Sequence, residues 1–445
     1  MRGDGVSFDT VVRGGDIDVL IADGVIADVA PGGELGDDAR EVIDATGLHV
    51  LPGLIDAHVH LNDPGRADWE GFASGTRALA AGGFTCAVDM PVHSFPPTVH
   101  AAAFEAKLAA AQGIAHVDFA LWGGVVPGSV GRMDELAEAG VVGFAAFMAA
   151  SGNDDFAACD DLTLFEAMSN AARLDLPVSV HAENALMVRE LGRRAIAGGH
   201  TAMADFLASR PIAAELEAIT SALALASEAG CALHIAHISC GSSAALVAEA
   251  RAAGADVTCE TCPHYLAFTA EDAERLGVLV KCTPPLRESD EHDGLWRAVR
   301  LGTIDLITSD HSPAPPALRQ GHAFAAWSGI AGCQTTARTL LAEGLTPGEL
   351  ARLCAAGPAM RLGLPGGRVE PGASADLLLL DPGRESVLSA GDLYYRHQQS
   401  PYVGRTLRGR IARTLLRGRT IAIDGRPVGG AVGQHVRPLS SVGLE

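Results

Sequence analysis

Two histidines open the chemistry of this chain. The run Pro52-Gly53-Leu54-Ile55-Asp56-Ala57-His58-Val59-His60 reads as an apolar strand that ends in imidazoles spaced i, i+2. Side chains alternate faces along a strand, so His58 and His60 point the same way, together with Leu54 and Asp56. Two imidazoles so placed can close on one divalent cation at little conformational cost. The plain alternative is a pair of partly exposed strand histidines. The loop that follows, Leu61-Asn62-Asp63-Pro64-Gly65-Arg66, favours metal, because a barrel presents its site on loops after strand ends.

Three further apolar runs end in a similar way. One closes on Val180-His181-Ala182-Glu183, another on His234-Ile235-Ala236-His237, and a third on Thr308-Ser309-Asp310-His311. Each residue alone is better read as a core or rim group. Together, His58, His60, His181 and His237 with the strand end that carries Asp310 and His311 suggest a metal centre. His234 and His237 are three apart and face opposite ways, and His237 is the candidate because it lies nearer the strand end. The pair Cys259-x-x-Cys262 has the spacing of half a zinc knuckle, but no second pair accompanies it, and it is assigned no metal.

These groups need elements to bring them together. Strand-like apolar runs occur near residues 54–60, 84–90, 117–122, 141–148, 177–182, 231–238, 256–261 and 304–310. Helical patterns lie between most of them, at 70–81, 99–112, 162–174, 213–229 and 242–253. Eight alternating strands and helices predict an α/β fold, a (β/α)8 TIM-like barrel. A doubly wound open sheet is the alternative, but no GxGxxG or Walker sequence follows any of the strands. Short strands with Gly turns flank the barrel, at 10–13, 18–22, 25–29 and 41–44 and again at 376–380, 406–407, 411–416 and 420–423. Asp23-Gly24 is a hairpin signal. Neither end can hold a core alone, so both are expected to pair into one small β-sandwich, residues 1–52 with 366–445, around a barrel of residues 53–365.

Composition narrows the partners. Acidic residues outnumber basic ones 54 to 33, a net charge of −21, which disfavours nucleic acid. With 48% hydrophobic and 20% charged residues the chain can bury a large core. Nine scattered cysteines fit free thiols in a reducing compartment. No signal core or membrane span is evident, so a cytoplasmic protein is expected.

The motifs resemble those of the amidohydrolase superfamily, in its cyclic amidohydrolase group. They are the stretch from Pro52 to Arg66 with Trp69-Glu70-Gly71, Gly82-Gly83-Phe84-Thr85 with Asp89-Met90-Pro91, His181-Ala182-Glu183, Glu260-Thr261-Cys262-Pro263-His264-Tyr265-Leu266, Lys281-Cys282-Thr283-Pro284-Pro285-Leu286-Arg287, and Ser309-Asp310-His311-Ser312-Pro313. The resemblance spans nearly the whole chain. The stretch from His60 to Arg66, the Phe144–Gly152 stretch, the stretch from Glu260 to Leu266 and the Ala326-Trp327-Ser328-Gly329-Ile330 loop are most similar to allantoinase-type members, whereas a dihydroorotase typically has Arg where Asn62 stands. The resemblance implies metal binding by His58, His60, His181, His237 and Asp310, with Asp310 also the proton shuttle. It implies substrate contacts at Thr283, Ser328 and Gly329, and Asn62 is a further candidate. The implied reaction is hydrolysis of a cyclic amide C–N bond, allantoin to allantoate, by a homotetramer or homodimer. A hydantoinase or dihydropyrimidinase activity is the alternative, and a non-catalytic scaffold is the alternative of another class.

Two positions depart from the family pattern. A lysine that is carboxylated and bridges two ions is replaced by Ala145, and no lysine lies between Lys107 and Lys281. A methyl group cannot bind metal, so one divalent ion, zinc by expectation, is favoured over two. The second strand, which often ends Met-Pro-x-Asn, here ends Met90-Pro91-Val92-His93. His93 is expected at the mouth of the site, as a replacement ligand, a changed substrate contact or an ordinary rim histidine.

Overall fold

The computed structural model describes residues 8–36 and 38–439. Its first strands are β1 (Phe8–Arg13), β2 (Ile17–Ala22), β3 (Val25–Pro31), β4 (Ala39–Asp44) and β5 (His49–Pro52). The first four form a sheet in the order β3-β2-β1-β4. Asp23 and Gly24 join β2 to β3 with φ values of 50° and 78°, the left-handed pair that a two-residue hairpin requires.

The barrel strands follow: β6 (Leu54–Val59), β7 (Phe84–Asp89), β8 (Asp118–Leu121), β9 (Gly123–Val125), β10 (Phe144–Phe147), β11 (Val178–His181), β12 (Leu233–Ile235), β13 (Val257–Thr261) and β14 (Leu306–Ile307). Neighbours pair in parallel. β8 and β9 are one barrel strand interrupted at Trp122, whose indole donates to the carbonyl of Ala57 at 3.0 Å. The ring closes where the backbone N–H of His60 donates to the carbonyl of His311 at 2.8 Å. Helices Phe72–Ala81, Ala101–Ala111, Asp161–Arg173, Ile212–Ala229 and Gly241–Ala252 lie within two residues of the sequence expectation. β6, β7, β8 and β11 are buried throughout, which is why they read as unbroken apolar runs. Ile55, Ala57, Val88, Ala120, Trp122, Ala145 and Leu306 belong to one apolar cluster contributed by barrel strands. This packed interior leaves polar chemistry to the strand ends.

β15 (Leu377–Val387), β16 (Thr406–Leu416), β17 (Arg419–Ile423) and β18 (Arg426–Pro427) complete the chain. β5 pairs antiparallel with β15, giving a second sheet in the order β18-β17-β16-β15-β5. Val12, Val19, Ile21, Ile26 and Ile43 of the first sheet pack with Val50, Leu377, Leu379 and Leu415 of the second. That is the sandwich of both chain ends. The sequence pattern breaks β16 into two strands, but the structure runs one strand through it. Gly409, with φ of 89°, sits at an irregularity of the β15–β16 pairing that interrupts the alternation without ending the ladder.

Residues 1–7, 37 and 440–445 of the expected sandwich lie outside the described residues. Two described segments of 366–439 make contacts with the barrel. Between β15 and β16, Ser400 Oγ donates to the carbonyl of Ala331 at 2.7 Å and the backbone N–H of Arg396 donates to Glu70 at 3.1 Å. After β18, Gln434 and Val436 pair with the backbone of Phe119 at 2.9 and 2.8 Å. All nine cysteines are buried free thiols. Among the described residues no helix is long and apolar enough to cross a membrane.

Candidate metal centre

A cavity of about 430 Å³ opens at the C-terminal ends of the barrel strands. β6 supplies His58 and the residue after it supplies His60, with ring centres 5.3 Å apart. Asp310 follows β14 in a left-handed turn, φ 43°. Its Oδ1 lies 3.3 Å from His60 Nε2 and 3.5 Å from His58 Nε2. One donor atom from each of these three residues fits within 4.8 Å of the other two, a spacing that suits ligands of one ion.

β11 and β12 bring the other imidazoles. His181 ends β11. His237 lies two residues past β12 with φ of 35°, a conformation uncommon outside glycine and asparagine that is found where a site requires it. His181 Nδ1 and His237 Nε2 are 3.0 Å apart, and the His237 ring centre is 5.5 Å from that of His58. All five predicted ligands therefore line one cavity. His234 faces elsewhere, with its Nδ1 2.8 Å from the Thr258 hydroxyl.

Carboxylates stand behind the imidazoles. Glu260 Oε1 is 2.5 Å from His58 Nδ1, and its other oxygen is 3.3 Å from His234 Nε2. Glu183 is 2.9 Å from His181 Nε2 and is itself paired with Arg210. Such acceptors orient a ligating histidine and make it a stronger donor. Burial disfavours charge on Asp310, yet His58 and His60 hold its carboxyl well below the usual range. Burial also pushes His58 down, but Glu260 and Asp310 outweigh it and raise the imidazole to about 9. Burial, with His181 beside it, takes His237 down to about 3. The donor set fits a divalent ion: inward-facing nitrogens and one carboxylate in a pocket where buried carboxylates call for positive charge.

Ala145 of β10 is buried and borders a void of only about 10 Å³ shared with His58, Met90, Ser179, His181 and His237. That is room for about one water. β10 contributes no ligand.

His93 is on the cavity wall but only 6% exposed, so it is not an open rim residue. Its ring centre is 4.7 Å from that of His60, and among the described residues neither ring nitrogen has a hydrogen-bond partner. Thr283, Ser328 and Gly329 also line the cavity. Asn62 is not on its wall: a left-handed turn, φ 63°, carries the side chain to the carbonyl of Pro313 at 3.5 Å. Sequence reasoning gave no role to Glu183, Glu260, Arg210, Lys281 or Trp327. Glu183 is spaced i, i+2 from His181, the same signal that singled out His58 and His60.

The amidohydrolase family model matches residues 49–421. The chain belongs to the amidohydrolase family. Among its relatives, an allantoinase of Rubrobacter xylanophilus is 57% identical over 98% of this chain and 99% of its own. An allantoinase of Solibacter usitatus is 48% identical, covering 97% of each chain. Solved structures agree on the architecture. An L-hydantoinase (dihydropyrimidinase) from Arthrobacter aurescens superposes with a TM-score of 0.93 at 34% identity, over 97% of this chain and 100% of that one. A dihydropyrimidinase from Brevibacillus agri gives 0.88 at 29%, over 96% and 98%. For an amidohydrolase of this kind the barrel and sandwich are the shared frame, and the side chains at the strand ends carry what is particular to this chain.

Proposed function

We propose that this amidohydrolase opens a cyclic ureide ring at an amide C–N bond, with allantoin as substrate and allantoate as product. One observation carries the reading: His58, His60, His181, His237 and Asp310 share one cavity of about 430 Å³ in a chain 57% identical to an allantoinase. Bound among these side chains, a divalent ion supplies an acidified water and a polarised carbonyl. We take it to be zinc, and one ion rather than two, because β10 offers the methyl group of Ala145 where a bridging ligand would stand.

The chain's own groups divide the remaining work. Asp310 points its carboxylate into the cavity beside His58 and His60, where it can accept a proton from the attacking water. It then delivers that proton to the ring nitrogen as the C–N bond breaks; the nitrogen is released as N–H, and the former carbonyl carbon keeps the water oxygen as a carboxylic acid that ionises to the carboxylate. Glu260 and Glu183 keep His58 and His181 in orientation. Thr283, Ser328 and Gly329 line the space in which the ring is positioned. The protein is taken to act in the cytoplasm as a homotetramer or homodimer. The assignment of residues 53–365 to the barrel domain, with the strands outside it forming the sandwich, is likewise a proposal.

A hydantoinase-type substrate is the second reading, favoured by the hydantoinase names of the structural relatives. A non-catalytic scaffold would have no need of four histidines and an aspartate in one cavity. Metal analysis and a panel of allantoin, hydantoin, dihydrouracil and dihydroorotate test these readings. A stoichiometric ion and fastest turnover of allantoin are expected. Fastest turnover of hydantoin or dihydrouracil selects the second reading, and an ion-free, inert protein refutes both.

A further inference from the structure

Of the 33 lysines and arginines in this chain, only Lys107 and Lys281 are lysines. Both are buried, 1% and 5% exposed. Lys107 has a counter-ion, since its Nζ is 2.5 Å from Asp89 Oδ2 and 2.7 Å from the carbonyl of Met90. Lys281 has none. Its Nζ donates to the carbonyl of Ala326 and stands 4.6 Å from the centre of the Phe206 ring. The charged groups acting on it are Arg210 and Arg319, both positive, and with burial they lower its pKa to about 8. Arg210 is already matched by Glu183. A buried ammonium without an anion is costly, and a chain that uses arginine nearly everywhere else keeps a lysine here.

The position of Lys281 supplies a use. It lines the same cavity as the histidines and Asp310. An ammonium has three donors, and one is taken by Ala326. The adjoining loop adds two more unpartnered buried polar atoms on residues of that wall, Trp327 Nε1 and Ser328 Oγ. Ammonium and indole N–H groups can only donate, so what they bind must present acceptors. The loop is held in place beforehand: the backbone N–H of Gly329 donates to the carbonyl of Lys281 at 2.8 Å, the backbone N–H of Trp327 to that of Leu318 at 2.7 Å, and the Arg319 side chain to that of Gly329 at 2.5 Å. Donors fixed in advance bind with little ordering cost.

We infer that Lys281 and Trp327 form a specificity subsite for an oxygen-bearing arm on the substrate ring, a ureido carbonyl or a carboxylate. This rests on the cyclic-ureide reading above and narrows it: the subsite favours rings whose exocyclic substituent ends in acceptors over rings that are bare or carry an alkyl group. The competing role for Lys281 is a staple for the 326–329 loop, which would affect every substrate alike.

The test compares wild type with Lys281→Met and Trp327→Phe, each loaded with metal. Trp327→Phe removes one donor without touching the bonds of Lys281, so it stands if Lys281→Met fails to fold. Kinetic constants are measured for allantoin, 5-carboxymethylhydantoin and 5-methylhydantoin. The ratio of kcat/KM for allantoin to that for 5-methylhydantoin is expected to fall at least tenfold in Lys281→Met and at least threefold in Trp327→Phe, mainly through KM. A steeper loss for 5-carboxymethylhydantoin than for allantoin identifies the carboxylate as the better arm, and the reverse identifies the ureido group. Ratios within twofold of wild type in both variants overturn the proposal. If wild type opens none of these rings, the cyclic-ureide reading fails, and calorimetric titration with allantoin and 5-methylhydantoin decides the subsite alone. Preferential binding of allantoin that is lost in the variants sustains it, and equal binding overturns it.

Discussion

Glu260 Oε1 stands 2.5 Å from His58 Nδ1, although 202 residues separate the two in the chain. The contact leaves His58 Nε2 turned toward Asp310, 3.5 Å away. Burial works against charge on Glu260, yet His58 and His234 hold its carboxyl well below the usual range. A fixed anion on the outer nitrogen of a ligating imidazole strengthens the inner nitrogen as a donor.

Glu260→Gln should therefore weaken metal retention without opening a cavity. The amide keeps the volume and one hydrogen bond but not the charge. Affinity for zinc is expected to fall by about 10–100-fold. Competition against a graded series of chelators measures it, and retention equal to wild type would show that Glu260 does not tune the ligand.

His93 can act on metal or on substrate. The donor group that closes to within 4.8 Å comprises His58, His60 and Asp310; His93 stands outside it, as His181 and His237 do. Its unpartnered nitrogens line the cavity beside Trp327, ring centres 5.1 Å apart. His93→Asn is expected to leave the bound metal per chain unchanged while raising KM for allantoin. Loss of metal from this variant would instead make His93 a ligand, and unchanged metal with unchanged kinetics would leave it no role.

Ala145 bears on the number of ions. The void beside it holds about 10 Å³, far less than a lysine side chain needs. Ala145→Lys, expressed with bicarbonate, is expected to overpack the barrel interior at a cost of about 1–3 kcal/mol. Metal content should not rise above wild type. A second bound ion in this variant would show that the pocket reopens when the longer side chain is restored.

Much of this was legible in the sequence because of how parallel strands are buried. β6 and β7 are covered on both faces, so they appear as apolar runs, and the residues that end them are where chemistry must emerge. The strand ends that carry His58, His60, His181, His237 and Asp310 stand out by that position, and at the last of them the family resemblance, not the position, picks Asp310 over His311. Glu260 does not stand out, because its partner His58 is distant in sequence and a glutamate in a strand looks the same whether it faces solvent or an imidazole. Lys281 escaped for the same reason: what marks it is the absence of a carboxylate near it in space. Asn62 is a candidate by resemblance only, and no sequence pattern announces the left-handed turn after β6 that carries its side chain toward Pro313. The return of Gln434 and Val436 to Phe119 of β8 leaves no periodic trace at all.

The buried ammonium of Lys281 should also be visible in stability. Burial lowers its pKa from 10.5 to about 8. A lysine depressed by folding is charged in both states below about 8, and the native state then bears the full cost of burying it. Between about 8 and 10.5 the native state has released the proton while the unfolded chain keeps it, so stability rises with pH across that window. The depression corresponds to about 3 kcal/mol at most, an order-of-magnitude figure. Urea unfolding of metal-loaded wild type at pH 7.5 and at pH 9.5 is expected to show a gain that Lys281→Met lacks, with the variant the more stable of the two at pH 7.5. An identical pH response in both proteins would mean that Lys281 stays charged and hydrated, and that its ammonium is not confined to the cavity wall.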